Sequence, residues 1–195
     1  MEPHSVKHNV ATQYRAGEHI VLVPHDPAWS GEFEREAESI RKALAGLPIT
    51  LHHIGSTAIP RIVAKPVIDI LGVVDNVTDL DTHGARLTSI GYEGLGEYGI
   101  AGRRYFRKDS SDGARTHQIH VFGAGSAEIQ RHLDFRDYLR AFPEPAAEYA
   151  ALKQMLAARS GVDIERYADA KTDFVREIER RAAEWRADKK FRTSE

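Results

Sequence analysis

The sequence has no cysteine among its 195 residues, which excludes disulfides, thiolate zinc sites and cysteine nucleophiles. No apolar run approaches the roughly 20 residues that a membrane-spanning helix needs, and the first residues lack the charged-then-apolar order of a secretion signal. The formal net charge of -2 gives no electrostatic reason to expect binding to nucleic acid. We therefore expect a cytoplasmic protein without a nucleic-acid or membrane partner; composition does not indicate an oligomeric state.

The composition is that of one ordinary domain. Hydrophobic residues make up 42% of the chain, which is enough to build a core. Residues 1–16 are polar and irregular, and we predict a flexible N-terminal arm there. Residues 17–195 are predicted to form a single domain, with a sheet core over about 17–125 and a helical part over about 126–190. The predicted fold class is α+β.

Hydrophobic periodicity and turn residues predict the individual elements. The sequence Asp26-Pro27 is typical of a helix start, with Asp26 as the N-cap and Pro27 at the first helical position. Further helices are predicted over 78–89, 127–142, 146–160 and 163–185, and strands over 19–24, 49–54, 66–74, 103–107 and 117–122.

Two neighbouring segments carry the clearest functional signal. The first apolar run ends in Gly55-Ser56-Thr57, and the second, beginning at Lys65, holds one acid, Asp69, among aliphatic residues. Burying an ionised carboxylate without a partner costs roughly several kcal/mol, so a metal, a cation or N–H donors must compensate it. Glycine lets a backbone approach phosphate, and a turn leading into a helix presents N–H groups to it. These residues therefore predict a phosphate-binding turn beside a functional carboxylate.

These segments resemble the GrpB family, which is placed in the nucleotidyltransferase superfamily. The resemblance rests on HHIGSTAIP at 52–60, AKPVIDILGVV at 64–74 and THQIHVF at 116–122. It implies a nucleotidyltransferase-like fold, a mixed sheet flanked by helices, and a nucleotide or phosphate-bearing ligand. It also implies that Lys171 and Tyr167 of the helical part contact the phosphates of that ligand.

The superfamily usually has a second carboxylate two residues after the first, but Leu71 stands there. The strand over 117–122 also has no acid, so a two-magnesium site is not predicted. His53, Asp69 and His120 form an alternative metal set, because two histidines and one carboxylate can bind a transition metal. The expected divalent metal, magnesium or a transition metal, therefore stays undecided.

Three hypotheses about function follow. In the first, Asp69, Lys65 and His120 are catalytic, Arg104 and Lys171 neutralise phosphate charge, and a nucleotidyl group is transferred to a small molecule. In the second, the scaffold is a degenerate, non-catalytic nucleotide-binding module. In the third, the histidines and Asp69 form a metal-dependent enzyme with different chemistry.

Each candidate also has a structural interpretation. Asp69 can form a structural ion pair with Lys65, Arg103 or Arg104. The alternation of side chains along a strand predicts Arg103 and Arg107 on one face of the sheet and Arg104 on the other. On the structural interpretation, this basic strand is a solvated sheet edge.

Overall fold

The computed structural model describes residues 21–158 and 164–192, without the side chains of 164–169, 190 and 192. The predicted N-terminal arm lies outside these residues. The helices are α1 (Ala28–Ala43), the short α2 (Leu80–His83), α3 (Ala127–Ala141), α4 (Pro143–Ala157) and α5 (Ile164–Arg192). The strands are β1 (Thr50–Ile54), β2 (Ile68–Val74), β3 (Tyr92–Gly94), β4 (Arg103–Asp109) and β5 (Arg115–Gly123).

The strands form one mixed sheet in the order β1-β2-β5-β4-β3. β2 and β5 are parallel, and the other neighbouring pairs are antiparallel. Helices pack on both faces, so the prediction of an α+β fold with a mixed sheet flanked by helices is confirmed. Across the described ranges, no helix is long and apolar enough to cross a membrane.

The two faces of the sheet have different partners. On the α1 face, Ile68 and Ile70 of β2 pack with Trp29, Phe33 and Ile40 of α1 in the largest hydrophobic cluster. The opposite side, the C-terminal face, carries a small cluster of Ile54, Leu71 and Phe122 that packs against Ile129 and Leu133 of α3. Because successive side chains of a strand alternate, Asp69 lies on the C-terminal face with Leu71.

The last three helices form a third cluster with the segment that links β1 to β2. Ile59 and Ile62 of this segment are buried among Leu139, Tyr149 and Ile178. This packing holds α4 and α5 beside the Gly55-Ser56 turn, which begins a 3-10 helix at Ser56.

Three element predictions need correction. The helix predicted over 78–89 is a four-residue helix between 3-10 turns, since Gly84 has weak helix propensity. α4 begins at Pro143, not at residue 146, because a proline at the first helical position leaves no hydrogen bond unmade. The strand predicted over 19–24 is not formed in the described residues 21–24. Val23 instead makes an isolated bridge to Ala64. Asp26 Oδ1 does accept the Ala28 N–H at 2.8 Å, but α1 begins at Ala28, one residue after the predicted start at Pro27.

Candidate functional site

A small cavity of about 50 Å³ lies where the Gly55-Ser56 turn, β2 and the C-terminal helices meet. We call it the Asp69 cavity. On this measure a water molecule needs about 10–15 Å³, so the cavity has room for a group of a few heavy atoms and not for a whole nucleotide. Its lining consists of three lysines, one carboxylate, two hydroxyls and two aliphatic side chains: Lys65, Lys153, Lys171, Asp69, Ser56, Thr57, Leu22 and Val67.

The turn and the carboxylate are in direct contact. Gly55 has a φ of 69°, in the region that favours glycine. A Cβ added there would lie 2.9 Å from the Cβ and Cγ atoms of Asp69, closer than real Cβ atoms approach. A side chain is therefore excluded at Gly55 both by the backbone conformation and by the carboxylate packed against it.

Asp69 is surrounded by protein atoms but partly exposed to the cavity. Burial raises the pKa of its carboxyl to about 7, although the positive charges of Lys171, Lys65 and Arg115 oppose the shift. The surroundings therefore make this carboxyl easier to protonate than an ordinary aspartate. Lys65, the lysine partner of the structural interpretation, lies with Asp69 in the lining of the cavity.

Lys153 of α4 is the site residue that the sequence reasoning missed. Its ammonium Nζ donates to Ser56 Oγ at 3.0 Å and to the Val63 carbonyl, and it lies 4.6 Å from the centre of the Tyr149 ring. Its side chain is only 2% exposed. Burial, together with the nearby charge of Lys171, lowers the pKa of Lys153 to about 7.

Lys171 of α5 completes the positive lining. Burial and the charge of Lys65 lower its pKa to about 8, although the negative charge of Asp69 opposes the shift. The structure thus brings together five of the predicted site residues with Lys153. These five are Ser56, Thr57, Lys65, Asp69 and Lys171.

The Thr57 hydroxyl has protein partners even though Thr57 lines the cavity. Its Oγ1 donates to the Val67 carbonyl at 3.2 Å and contacts His53 Nε2 at 2.9 Å. Thr57 therefore fixes the turn against the start of β2, which leaves Ser56 as the hydroxyl that faces the lysines.

The predicted metal set is not assembled. β1 pairs with β2 so that Ile54 lies opposite Asp69, which places His53 on the α1 face. There the His53 ring stacks on Phe33 at 5.0 Å, and burial lowers its pKa to about 4. His53 therefore belongs to the core beneath α1 and does not reach the Asp69 cavity.

His120 shares the C-terminal face with Asp69 but is not part of the cavity lining. Its Nδ1 lies 3.2 Å from an Arg103 guanidinium nitrogen, and its ring packs near Tyr105 and His132. Burial lowers its pKa well below the usual value, which favours the neutral imidazole. The structure therefore does not place His120 in the Asp69 cavity with the other predicted catalytic residues, Asp69 and Lys65.

Arg104 is also away from the cavity. It lies on the other face from Arg103 and Arg107, as the alternation predicts, and it binds Asp81 through two hydrogen bonds of 2.5 and 2.8 Å. The Asp81 carboxylate occupies the guanidinium fork that the phosphate hypothesis requires. The side chain of Tyr167 lies outside the described residues.

The donor set around Asp69 does not fit a divalent metal. Leu71, at the position of the usual second carboxylate, is fully buried in an apolar cluster. Gln118 lies beside Asp69 on β5, and the other charged groups of the cavity are lysines, which repel cations. Among the described residues, no three His, Asp or Glu side chains are grouped to hold a metal ion. We therefore derive no step through a metal at this site.

Comparison with known proteins identifies the family. A family model described as GrpB protein matches residues 19–181. The chain belongs to the GrpB family. The UPF0157 protein YqkA of Bacillus subtilis (strain 168) is 39% identical over 167 residues, which are 86% of this chain and 48% of that protein. This chain thus spans about half the length of YqkA.

Two further relatives match over most of their own length. A UPF0157 protein of Halalkalibacterium halodurans is 39% identical over 164 residues, covering 84% of this chain and 82% of that protein. The crystal structure of the conserved protein GrpB from Enterococcus faecalis has a TM-score of 0.77 and 39% identity, and the match covers 83% of this chain and 96% of that one. The expected GrpB resemblance is therefore confirmed in sequence and in fold.

Proposed function

We propose that this GrpB chain is a nucleotidyltransferase-like protein that binds a nucleotide or another phosphate-bearing small molecule, with a phosphate in the Asp69 cavity. The observation that carries the proposal is the set of three lysines that line one small cavity with the Ser56 hydroxyl. Phosphate recognition needs positive charge and hydrogen-bond donors, and the lysines and the Ser56 hydroxyl of this cavity can supply both.

The pKa values support an anion as the ligand. Burial of Lys153 and Lys171 lowers their pKa values to about 7 and about 8, so holding their positive charges in this cavity is unfavourable without an anion. Asp69, with a pKa of about 7, supplies only a fraction of a negative charge. A phosphate would favour the protonated form of Lys171 and the neutral form of Asp69 at once.

The proposal differs from the standard superfamily mechanism in one testable respect. A two-metal enzyme binds its nucleotide together with magnesium, whereas this site supplies the positive charge from lysines. Binding should therefore be independent of magnesium. This favours the second sequence hypothesis, a binding module on a degenerate scaffold, over metal-dependent nucleotidyl transfer.

Calorimetric titration tests the proposal. ATP and inorganic phosphate are titrated into the purified protein with and without magnesium, and into the variants Lys171→Met and Lys42→Met. Lys42 is the matched control, because its side chain is 74% exposed on α1. We expect binding in both conditions, and a loss of about tenfold in affinity for Lys171→Met, since charge-assisted hydrogen bonds contribute about 1.5–3 kcal/mol.

Two outcomes would overturn the proposal. Neither ligand binds, or both bind Lys171→Met and Lys42→Met with the affinity of the unaltered protein. Binding that requires magnesium would instead restore the metal-dependent transferase hypothesis. The unfolding temperature of each variant shows that a lost affinity does not come from lost structure.

A further inference from the structure

We propose that Ser56 is a nucleophile and Lys153 its general base, and that the pair attacks the phosphorus of a phosphate ester or anhydride held in the Asp69 cavity. The inference rests on the proposed function for its choice of electrophile. The contact between Ser56 and Lys153 does not depend on that function, because it joins two side chains of this protein.

The first support is geometric. Lys153 Nζ lies 3.0 Å from Ser56 Oγ, within the range in which a base takes a proton from a hydroxyl. Ser56 lines the cavity, whereas Lys153 is 2% exposed and closes it from the side of α4. The hydroxyl thus stands between its base and the space where a reacting atom would sit.

The second support is the orientation of the amine. The Val63 carbonyl can only accept a hydrogen bond, so one Lys153 N–H must point at it. When Lys153 is neutral, its lone pair is then free to accept the proton of the Ser56 hydroxyl.

The third support is that burial makes neutral Lys153 accessible. Desolvation lowers the pKa of Lys153 to about 7, and the charge of Lys171 acts in the same direction. The other charged groups of the cavity are Lys65 and Asp69, and Tyr149 packs against the amine from its own helix. An amine with this pKa is a competent base at neutral pH, which an ordinary lysine is not.

The reaction balances without a metal or a redox partner. Ser56 Oγ forms a bond to phosphorus while its proton moves to Lys153 Nζ. The bond between phosphorus and the leaving oxygen breaks, and that oxygen keeps the electron pair and takes the proton from the Lys153 ammonium. An acceptor hydroxyl then attacks the phosphoserine while Lys153 Nζ takes its proton. Ser56 Oγ leaves with the electron pair of the P–O bond and takes that proton back from the Lys153 ammonium.

Covalent labelling tests the inference directly. The protein is treated with dimethyl fluorophosphate, a neutral phosphorus electrophile little larger than a phosphate group, and the mass of the intact protein and its peptides is measured. An activated Ser56 forms the Oγ–P bond as the P–F bond breaks and fluoride leaves. We expect one label, located on Ser56, and no label at that position in Ser56→Ala.

Lys153→Arg separates the role of a base from that of a structural cation, because arginine keeps the charge and does not release its proton at neutral pH. We expect Lys153→Arg to label at least about 100-fold more slowly, and the exposed control Lys42→Arg to label at the unaltered rate. In the unaltered protein, the rate should rise with pH through about 7, where Lys153 becomes neutral. If Lys153→Arg does not fold, the pH dependence of labelling in the unaltered protein tests the role of Lys153 as a base instead.

Three outcomes overturn the inference: no label on Ser56, a Lys153→Arg rate equal to that of the unaltered protein, or a rate independent of pH. Since the probe is uncharged, labelling does not require anion binding. Failure to label in a protein that binds phosphate would overturn the nucleophile alone. If the labelling results are all as expected but the protein binds no phosphate, the nucleophile is supported and only the proposed function is overturned.

Discussion

The two faces of the sheet deal with buried charge in opposite ways. On the α1 face, Lys108 Nζ contacts both Glu36 carboxylate oxygens, at 2.9 and 3.1 Å, so the two charges satisfy each other. On the C-terminal face, Asp69 shares a cavity with several lysines, and burial raises its pKa to about 7. The α1 face therefore holds these two charges in one close ion pair, whereas on the C-terminal face several charged side chains line a single cavity.

Gln118 adds to this difference. Its side chain lies beside Asp69 on the C-terminal face, 1% exposed, and neither its Nε2 nor its Oε1 has a hydrogen-bond partner within the described part of the chain. Buried amides nearly always have partners. Gln118 is therefore a buried polar side chain next to Asp69 whose hydrogen bonds the fold itself does not satisfy.

Gly55→Ala should have the largest effect. A Cβ would collide with Asp69 and force a strained φ, so we expect the variant to lose about 3–5 kcal/mol of unfolding free energy, measured by urea denaturation. Gly46→Ala is the matched control: its φ is 94° but nothing lies within 4 Å of the added Cβ. Equal losses in the two variants would contradict the close contact between the turn and the carboxylate.

Glu36→Gln tests the ion pair of the α1 face. The substitution leaves the partly buried Lys108 ammonium without its anion, and we expect a loss of about 1–3 kcal/mol at neutral pH. Phosphate affinity should not change, because Glu36 lies on the other face of the sheet. Denaturation and calorimetry on the same sample check both statements, and a large change in phosphate affinity would break the distinction between the faces.

Asp69→Asn should have the opposite sign. The folded-state pKa of Asp69 is raised from 3.8 to about 7, so its ionisation lowers stability progressively between these values and the penalty is complete above pH 7. We expect Asp69→Asn to unfold at a temperature a few degrees above the unaltered protein at pH 8, with the gap closing towards pH 4. Thermal scans over that range check this expectation. A variant less stable than the unaltered protein at pH 8 would show that the attraction between the Asp69 carboxylate and the lysines exceeds the cost of burying it.

The fold was predictable where local patterns decide it, and the site only where its residues are close in sequence. Ser56, Lys65 and Asp69 lie within two adjacent segments, so a turn and a strand suffice to bring them together. The sequence around Lys153 carries no such signal, because a single lysine in a helix is usually a surface residue. Only the tertiary fold brings Lys153 into contact with Ser56. Whether these residues bind and react as proposed stays a prediction.

The failure with His53 has a different physical origin. Because side chains alternate along a strand, His52 and His53 must point to opposite faces of the sheet. Which of them shares a face with Asp69 depends on the strand register, and the sequence does not reveal that register. In the structure His52 lies opposite Leu71, so His52 is on that face and His53 is not. The Arg104–Asp81 pair was likewise invisible, because it joins a strand to a distant helix.

The affinity for inorganic sulfate, measured by calorimetry between pH 6 and pH 9, tests the central claim most directly. Sulfate keeps its double negative charge over this range, so only the protein titrates. As pH rises, Lys153 and Lys171, with pKa values of about 7 and about 8, lose positive charge, and Asp69 gains negative charge. Affinity should therefore fall steadily from pH 6 to pH 9, whereas an affinity that is constant or rises with pH would contradict an anion site in the Asp69 cavity.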